Sequence, residues 1–149
     1  MQKIYYVDTC IWLNLLKKEG DDTKGIPSWK IAETFINDVM STDEKYIAYS
    51  GIILRELEYK LSKQKFQEIL SMLKGEEKFR FVSVTEEDYK FARKMESGIS
   101  YEMSFYDCLH IAICKRLNLI LITRDNLLIR LAREYIEAKK PEDEILITV

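Results

Sequence analysis

Apolar positions along the chain follow two rhythms. Short runs rich in β-branched and aromatic residues have the composition of strands: KIYYV (3–7), KYIAYS (45–50), FRFVSV (79–84), LILIT (119–123) and EILITV (144–149). Between them, apolar side chains recur at three and four. Trp29, Ala32, Phe35, Ile36, Val39 and Met40 define one amphipathic helix; Phe66, Ile69, Leu70 and Leu73 define another that Gly75 ends. Thr85 and Asp88 form a capping-box pattern that opens a helix through about residue 98. Further helices are predicted over roughly 104–117 and 126–138, the second closed by Pro141.

Strands alternating with helices predict an α/β fold, a three-layer α/β/α sandwich with a central parallel five-stranded sheet. The uninterrupted apolar runs at 4–7 and 119–122 fit central strands buried on both faces. The stretch KKEGDDTKGIPSW (17–29) reads as an exposed loop after the first helix. Residues 1–149 are expected to form one domain, since no linker, repeat or low-complexity tract divides them.

Composition narrows the partners. With 47% hydrophobic and 32% charged residues, the chain reads as a soluble globular protein. A formal charge of -2 supplies no global basic field, so a nucleic-acid substrate needs a local basic patch. The apolar runs fall well short of the ~20 residues that span a bilayer. Charge returns at Lys17 and Lys18, which argues against a signal peptide, and a cytoplasmic location is expected. Cys10, Cys108 and Cys114 are an odd set without CxxC spacing and read as reduced core thiols.

The candidate chemistry is acidic. Asp8 sits at the carboxyl end of the first strand, and Asp125 just past the end of the fourth. Ser50 ends the second strand, with Glu56 about one and a half helical turns later in SGIILRELEYKL. Asp107 lies near the start of the apolar helix SFYDCLHIAIC. Ligands in such sheets collect beyond the carboxyl ends of the strands where the winding reverses. If the first and fourth strands are neighbours, all these carboxylates converge there. Taken singly, each has a structural explanation. Asp8 or Thr9 can cap the first helix, Asp125 the last; Asp107 can complete a capping box with Ser104, and Glu56 can pair with Lys60 at i, i+4.

Together they ask for more. Clustered carboxylates repel one another and raise their own pKa values unless a cation is present. An oxygen-rich cluster in a chain with one histidine suits Mg²⁺ or Mn²⁺ and not zinc. Such ions support phosphodiester hydrolysis without a Ser or His nucleophile. His110, one turn after Asp107, is expected to be a helix histidine satisfied by a neighbour. Cys108 and His110 point to different sides of their helix, which argues against a thiol dyad. Arg55 and Arg124 flank two of the acids and serve either as phosphate contacts or as ordinary surface charges.

At these residues the sequence resembles the PIN domain, the fold of VapC-type toxin ribonucleases and related nucleases. YVDTCIWL, YSGIILRELEYKL, SFYDCLHIAIC and LILITRDNLL match its four blocks in order, carrying Asp8, Glu56, Asp107 and Asp125. The resemblance implies a first strand at the sheet centre and those four acids as the metal-binding and catalytic set. Thr9, Ser50 and Thr123 would support them. It also implies Mg²⁺- or Mn²⁺-dependent cleavage of RNA, a homodimer and, for toxins, a small inhibitory antitoxin protein. Asn126 follows Asp125, so an acid sometimes found just downstream is missing, and a second metal would bind weakly or only with substrate phosphate. The competing readings are a non-cutting PIN-fold module that binds RNA or protein, and a structure-specific DNA nuclease. A haloacid dehalogenase-like hydrolase would need an acid where Cys10 stands, and no phosphate-binding GxxxxGK[ST] loop occurs.

Overall fold

The strand run at the start of the chain becomes β1 (Lys3–Val7), whose Tyr5, Tyr6 and Val7 are fully buried. In the computed structural model, which describes residues 1–18, 22, 23 and 25–145, β1 is the middle of a five-stranded sheet. On one side it pairs in parallel with β4 (Lys45–Tyr49), which pairs with β5 (Phe79–Phe81). On the other it pairs in parallel with β6 (Ile120–Ile122), which pairs with β7 (Ala138–Lys139). The register sets Tyr6 opposite Ala48 and Leu121, and Val7 opposite Ile122. The expected parallel sheet with the first strand at its centre is therefore present.

The chain winds outward from β1 through α1 (Thr9–Lys17), α2 (Ser28–Ser41), β4, α3 (Gly51–Lys60), α4 (Lys63–Gly75) and β5. It then crosses back through α5 (Glu86–Gly98) and α6 (Phe105–Leu117) to β6. Right-handed crossovers place these two runs of helices on opposite faces of the sheet. The packing agrees: α1 lies against α2 and α3, and α5 runs along α6. Burial explains the grip on both faces. Trp12, Phe35, Ile53 and Leu73 are fully or almost fully buried on the first run, as are Ala92, Leu109 and Ile113 on the second. Each large apolar side chain withdrawn from water contributes about 1.5–3 kcal/mol.

Local capping agrees with the expected helix starts. Thr85 Oγ1 accepts from the Asp88 amide at 3.3 Å, while the Asp88 carboxylate accepts from the Thr85 amide at 2.9 Å. Asp88 is only 2% exposed and also takes three hydrogen bonds of 2.9–3.1 Å from Arg116 on α6. Burial alone would raise its pKa, but Arg116 and Thr85 hold it below the usual carboxylate range. Asn118 ends α6 in the left-handed region, φ 56°, which asparagine tolerates.

Four boundaries differ from expectation, the first being the strand expected over 79–84, which is β5 (Phe79–Phe81). The fifth strand is Ala138–Lys139, and the expected strand at 144–149 begins instead in α8 (Pro141–Glu144), its residues 146–149 lying outside the described ones. The reason is local. Pro141 opens α8 with its missing N–H at the helix start. Glu144, almost buried, accepts from Tyr5 and from Lys139. The helix expected over 126–138 is α7 (Asn126–Ala132), because the residues before 138 must turn back to lay β7 beside β6. Of the loop expected at 17–29, residues 19–21 and 24 lie outside the described ones, and both ends of the stretch are helical. Lys17 belongs to α1 and Ser28 opens α2, with an antiparallel pair between β2 (Asp22–Thr23) and β3 (Ile26–Pro27). No helix among the described residues is long and apolar enough to cross a membrane.

Candidate active site

Two strands flank the point where the winding reverses, β1 and β6, and each ends in a candidate acid. The Asp8 amide donates to Ile122 O at 2.9 Å, which fixes the first residue after β1 against β6. Its carboxylate then faces two ways. Oδ1 accepts from the Thr9 amide at 2.8 Å and caps α1; Oδ2 accepts from Thr123 Oγ1 at 2.7 Å. Thr123 Oγ1 in turn accepts from the Asp125 amide at 3.2 Å. Asp125 caps α7, Oδ1 taking the Leu127 and Leu128 amides at 3.0 and 3.1 Å. The capping explanation for Asp8 and Asp125 is thus realised in each, and the same bonds hold both at the sheet edge.

Glu56 reaches this edge from α3. Its Oε1 accepts from Thr9 Oγ1 at 2.9 Å and from His110 Nε2 at 3.1 Å. His110 is fully buried on α6; its Nδ1 is hydrogen-bonded at 2.7 Å to the Tyr6 hydroxyl, which is 2.7 Å from Ser50 Oγ. Ser50 also caps α3. His110 is satisfied by neighbours, as expected, but those neighbours are Glu56 and Tyr6. A hydrogen-bonded chain therefore joins Ser50, Tyr6, His110, Glu56 and Thr9, and the Thr9 backbone continues it to Asp8, Thr123 and Asp125.

Tyr6 was missed by sequence reasoning because it reads as a core aromatic. Its signal is the strand period of two, which puts Tyr6 and Asp8 on one face of β1. The spacing of three between Asp107 and His110 likewise puts both on one face of α6.

The charges separate the acids. Burial opposes ionisation of Glu56, but the His110 hydrogen bond and charge, Thr9 and Lys60 bring its pKa below the ordinary value. Burial equally opposes a charge on His110, yet Glu56, Asp8 and Asp107 raise its pKa. Asp107 behaves oppositely to Glu56. Burial raises its pKa and the fields of Asp8 and Asp125 add to this, with His110 and Ser104 offsetting only part. No Lys or Arg forms an ion pair with Asp8, Glu56, Asp107 or Asp125 among the described residues. Of the two cations on Asp107's own helix, Lys115 and Arg116, Arg116 is bound to Asp88. Arg124 is not a free phosphate contact either. Its Nη1 donates to Glu142 at 3.0 Å, and Nη2 makes a second 3.0 Å charge contact without hydrogen-bond alignment.

The donor set fits a hard divalent cation. Oxygen and nitrogen atoms of Asp8, Glu56 and His110 come within 4.8 Å of one another. Both nitrogens of His110 are already engaged, so the atoms left to offer a cation are carboxylate oxygens. Asp107 adds a carboxyl whose pKa is raised first by burial and further by the fields of Asp8 and Asp125, which a cation would offset. Cys10 is no nucleophile here: burial and Asp8 push its thiol up to about 12.

Across residues 5–134 the chain matches the PIN domain family. It belongs to that family. Asp8, Glu56, Asp107 and Asp125 all fall inside the matched span, whereas β7 and α8 lie beyond it. Solved structures repeat the fold. VapBC-1 from nontypeable Haemophilus influenzae superposes with a TM-score of 0.67 at 16% identity, covering 93% of this chain and 98% of that one. VapC20 from Mycobacterium tuberculosis, a toxin that cleaves the sarcin-ricin loop, gives 0.66 at 18%, covering 91% and 98%. FitAcB from Neisseria gonorrhoeae gives 0.62 at 17%, covering 93% and 97%. At such identities the likeness is one of fold. No curated protein matches the chain by sequence.

Proposed function

We propose that residues 1–149 act as one PIN nuclease domain, a divalent-metal-dependent endoribonuclease using Mg²⁺ or Mn²⁺ at Asp8, Glu56, Asp107 and Asp125. The carrying observation is that Asp8 and Glu56 meet within 4.8 Å beside His110, while Asp107 and Asp125 stand outside that group with Asp107 in the field of Asp8 and Asp125, and no Lys or Arg among the described residues is ion-paired to any of the four. Asp8 and Asp107 hold the cation. Asp8 is oriented for this by Thr123 and the Thr9 amide. When bound, the cation supplies a lower pKa to an attacking water and neutralises phosphate charge. Glu56 is kept ionised by His110 and Thr9, which both bond Oε1; Oε2 is left to accept a proton from water. Tyr6 and Ser50 fix the His110 ring, and with it Glu56.

The neighbours among solved structures include toxin–antitoxin complexes. They support the further reading that this chain is the toxin of such a pair, a cytoplasmic homodimer restrained by a small antitoxin protein. A second reading has its own observation. Asp125 Oδ1 is already committed to capping α7 and Asn126 follows it, which favours a PIN module that binds RNA or protein without cutting.

One experiment separates them: labelled single-stranded RNA incubated with wild type and Asp107→Asn in Mn²⁺, Mg²⁺ and EDTA. Cleavage that needs metal and is lost in the variant supports the nuclease. Metal and RNA binding without cleavage across varied RNAs supports the module.

A further inference from the structure

Most large apolar side chains of this protein are inside, but two tyrosines beside the carboxylates are not. Tyr59 on α3 is 89% exposed and Tyr106 on α6 is 49% exposed. They line one groove of about 250 Å³ with Ile52, Arg55, Glu56 and Lys60. Five of these residues, 52, 55, 56, 59 and 60, recur on α3 at i, i+3, i+4, i+7 and i+8, so they form one continuous stripe on the helix surface. The stripe runs from apolar Ile52 past Glu56, which belongs to the acid cluster, to an aromatic ring flanked by two cations. Tyr106 approaches from the next helix and immediately precedes Asp107 in the chain.

The flanking cations are informative. Neither Arg55 nor Lys60 forms an ion pair among the described residues, in a chain whose formal charge is -2. Two cations outside any close ion pair, Lys60 acting on Glu56 only through its field, stand beside exposed rings at the rim of the carboxylates and match a ligand with a flat apolar face and flanking anions. A single-stranded nucleic acid is such a ligand: its bases stack on aromatic side chains and its phosphates meet Lys and Arg. The groove's small volume suits a planar ring. Glu56 forms part of its wall, so a base seated there adjoins the acids that act on the phosphate.

We infer that Tyr59 and Tyr106 form a stacking seat for one nucleobase next to the scissile phosphate, with Arg55 and Lys60 meeting the adjoining backbone. The inference rests on the nuclease reading for what happens beside the seat, but not for the stacking itself. Because every base offers a π face, the seat selects unpaired strands and discriminates weakly among bases. Tyr59 and Tyr106 are positioning residues, acting on affinity and register.

The test uses single-stranded RNAs carrying 2-aminopurine, or an abasic residue, at successive positions. Binding is measured with Asp107→Asn alone and combined with Tyr59→Ala, Tyr106→Ala, Tyr59→Phe or Tyr106→Phe. The expected result is 2-aminopurine quenching at one or two adjacent positions. Either Ala substitution weakens binding about tenfold and abolishes the quenching, and Phe restores both. In the cleaving background, KM rises about tenfold in the Ala variants while kcat changes little. An abasic residue at the quenched position costs wild type the same factor and costs the Ala variants nothing more. Unchanged RNA affinity, quenching and KM in both Ala variants would overturn the seat. So would loss of binding to a protein partner with RNA affinity intact, since the groove would then be a protein-docking site. If wild type quenches and binds RNA but cuts none in Mg²⁺ or Mn²⁺, the nuclease reading fails and the stacking seat stands.

Discussion

Asp88 stands three residues after Thr85 at the start of α5, and Asp107 three residues after Ser104 at the start of α6. Both helices receive a side-chain cap, and they pack against each other. Only Asp88 returns the bond to the cap's own amide, and only Asp88 receives a guanidinium. Its pKa falls, while burial and the nearby Asp8 and Asp125 make that of Asp107 rise. One acid is a finished structural unit; the other is left in an electrostatic deficit that folding does not repair. The difference teaches that a carboxylate's local motif does not reveal its use. What decides is whether the rest of the fold supplies the missing positive charge.

The largest contrast is expected in activity. Asp107→Asn should reduce metal-dependent RNA cleavage by about 10²–10⁴-fold, the usual range for a group acting directly in the chemistry. Asp88→Asn should retain cleavage within a few-fold per folded molecule at a temperature where it stays folded. Initial rates in Mn²⁺ on one RNA would check this, and equal losses in the two variants would dissolve the distinction.

Stability should reverse the ranking. Asp88→Asn leaves Arg116 without its anion and is expected to cost about 2 kcal/mol. That is below the ~3–5 kcal/mol of a fully buried pair because the Arg116 side chain keeps 28% exposure. Asp107→Asn removes a carboxylate that its neighbours repel, so in EDTA it should be neutral or slightly stabilising. Urea unfolding of both variants at pH 7 measures the pair. Added Mg²⁺ or Mn²⁺ sharpens it further. An ion at a hundredfold excess over its Kd stabilises the folded state by about 2.7 kcal/mol. That gain should be present in wild type and Asp88→Asn and greatly reduced in Asp107→Asn. Retention of the full gain in Asp107→Asn would remove Asp107 from the proposed ligand set.

Much of this was legible in the sequence, and what was not has a physical cause. The central strands announced themselves because burial on both faces demands unbroken apolar runs such as IYYV and LILI. The acids were visible as breaks at the ends of those runs. The edge strand β7 was not, since two residues of the lysine-bearing stretch EAKK carry no periodicity, and EILI resembled a strand more closely. Arg116 illustrates the deeper limit. Along the sequence it shares a helix with Asp107, yet it is bound to Asp88 on α5, a pairing fixed by helix packing. His110 and Tyr6 were hidden similarly: each looks like core until β1, α3 and α6 meet.

Acid titration in EDTA offers the smallest effect and the finest test, because the two acids should contribute with opposite sign. Asp88 has a folded pKa below its unfolded value of about 3.9, so the unfolded chain binds its proton first as pH falls. Its stabilisation is fully present above that value and is lost as pH drops through the folded one. Asp107 has a folded pKa above the unfolded value, so the native protein binds this proton first. Lowering the pH through the folded value relieves its repulsion and adds stability relative to neutral pH. Measured by urea midpoints from pH 7 to pH 3, the advantage of Asp107→Asn over wild type should shrink first, above about pH 3.9. The deficit of Asp88→Asn should shrink only below it. If both differences closed over the same acid limb, the pair would share one environment, and the claim that folding completes one acid and leaves the other for a cation would fail.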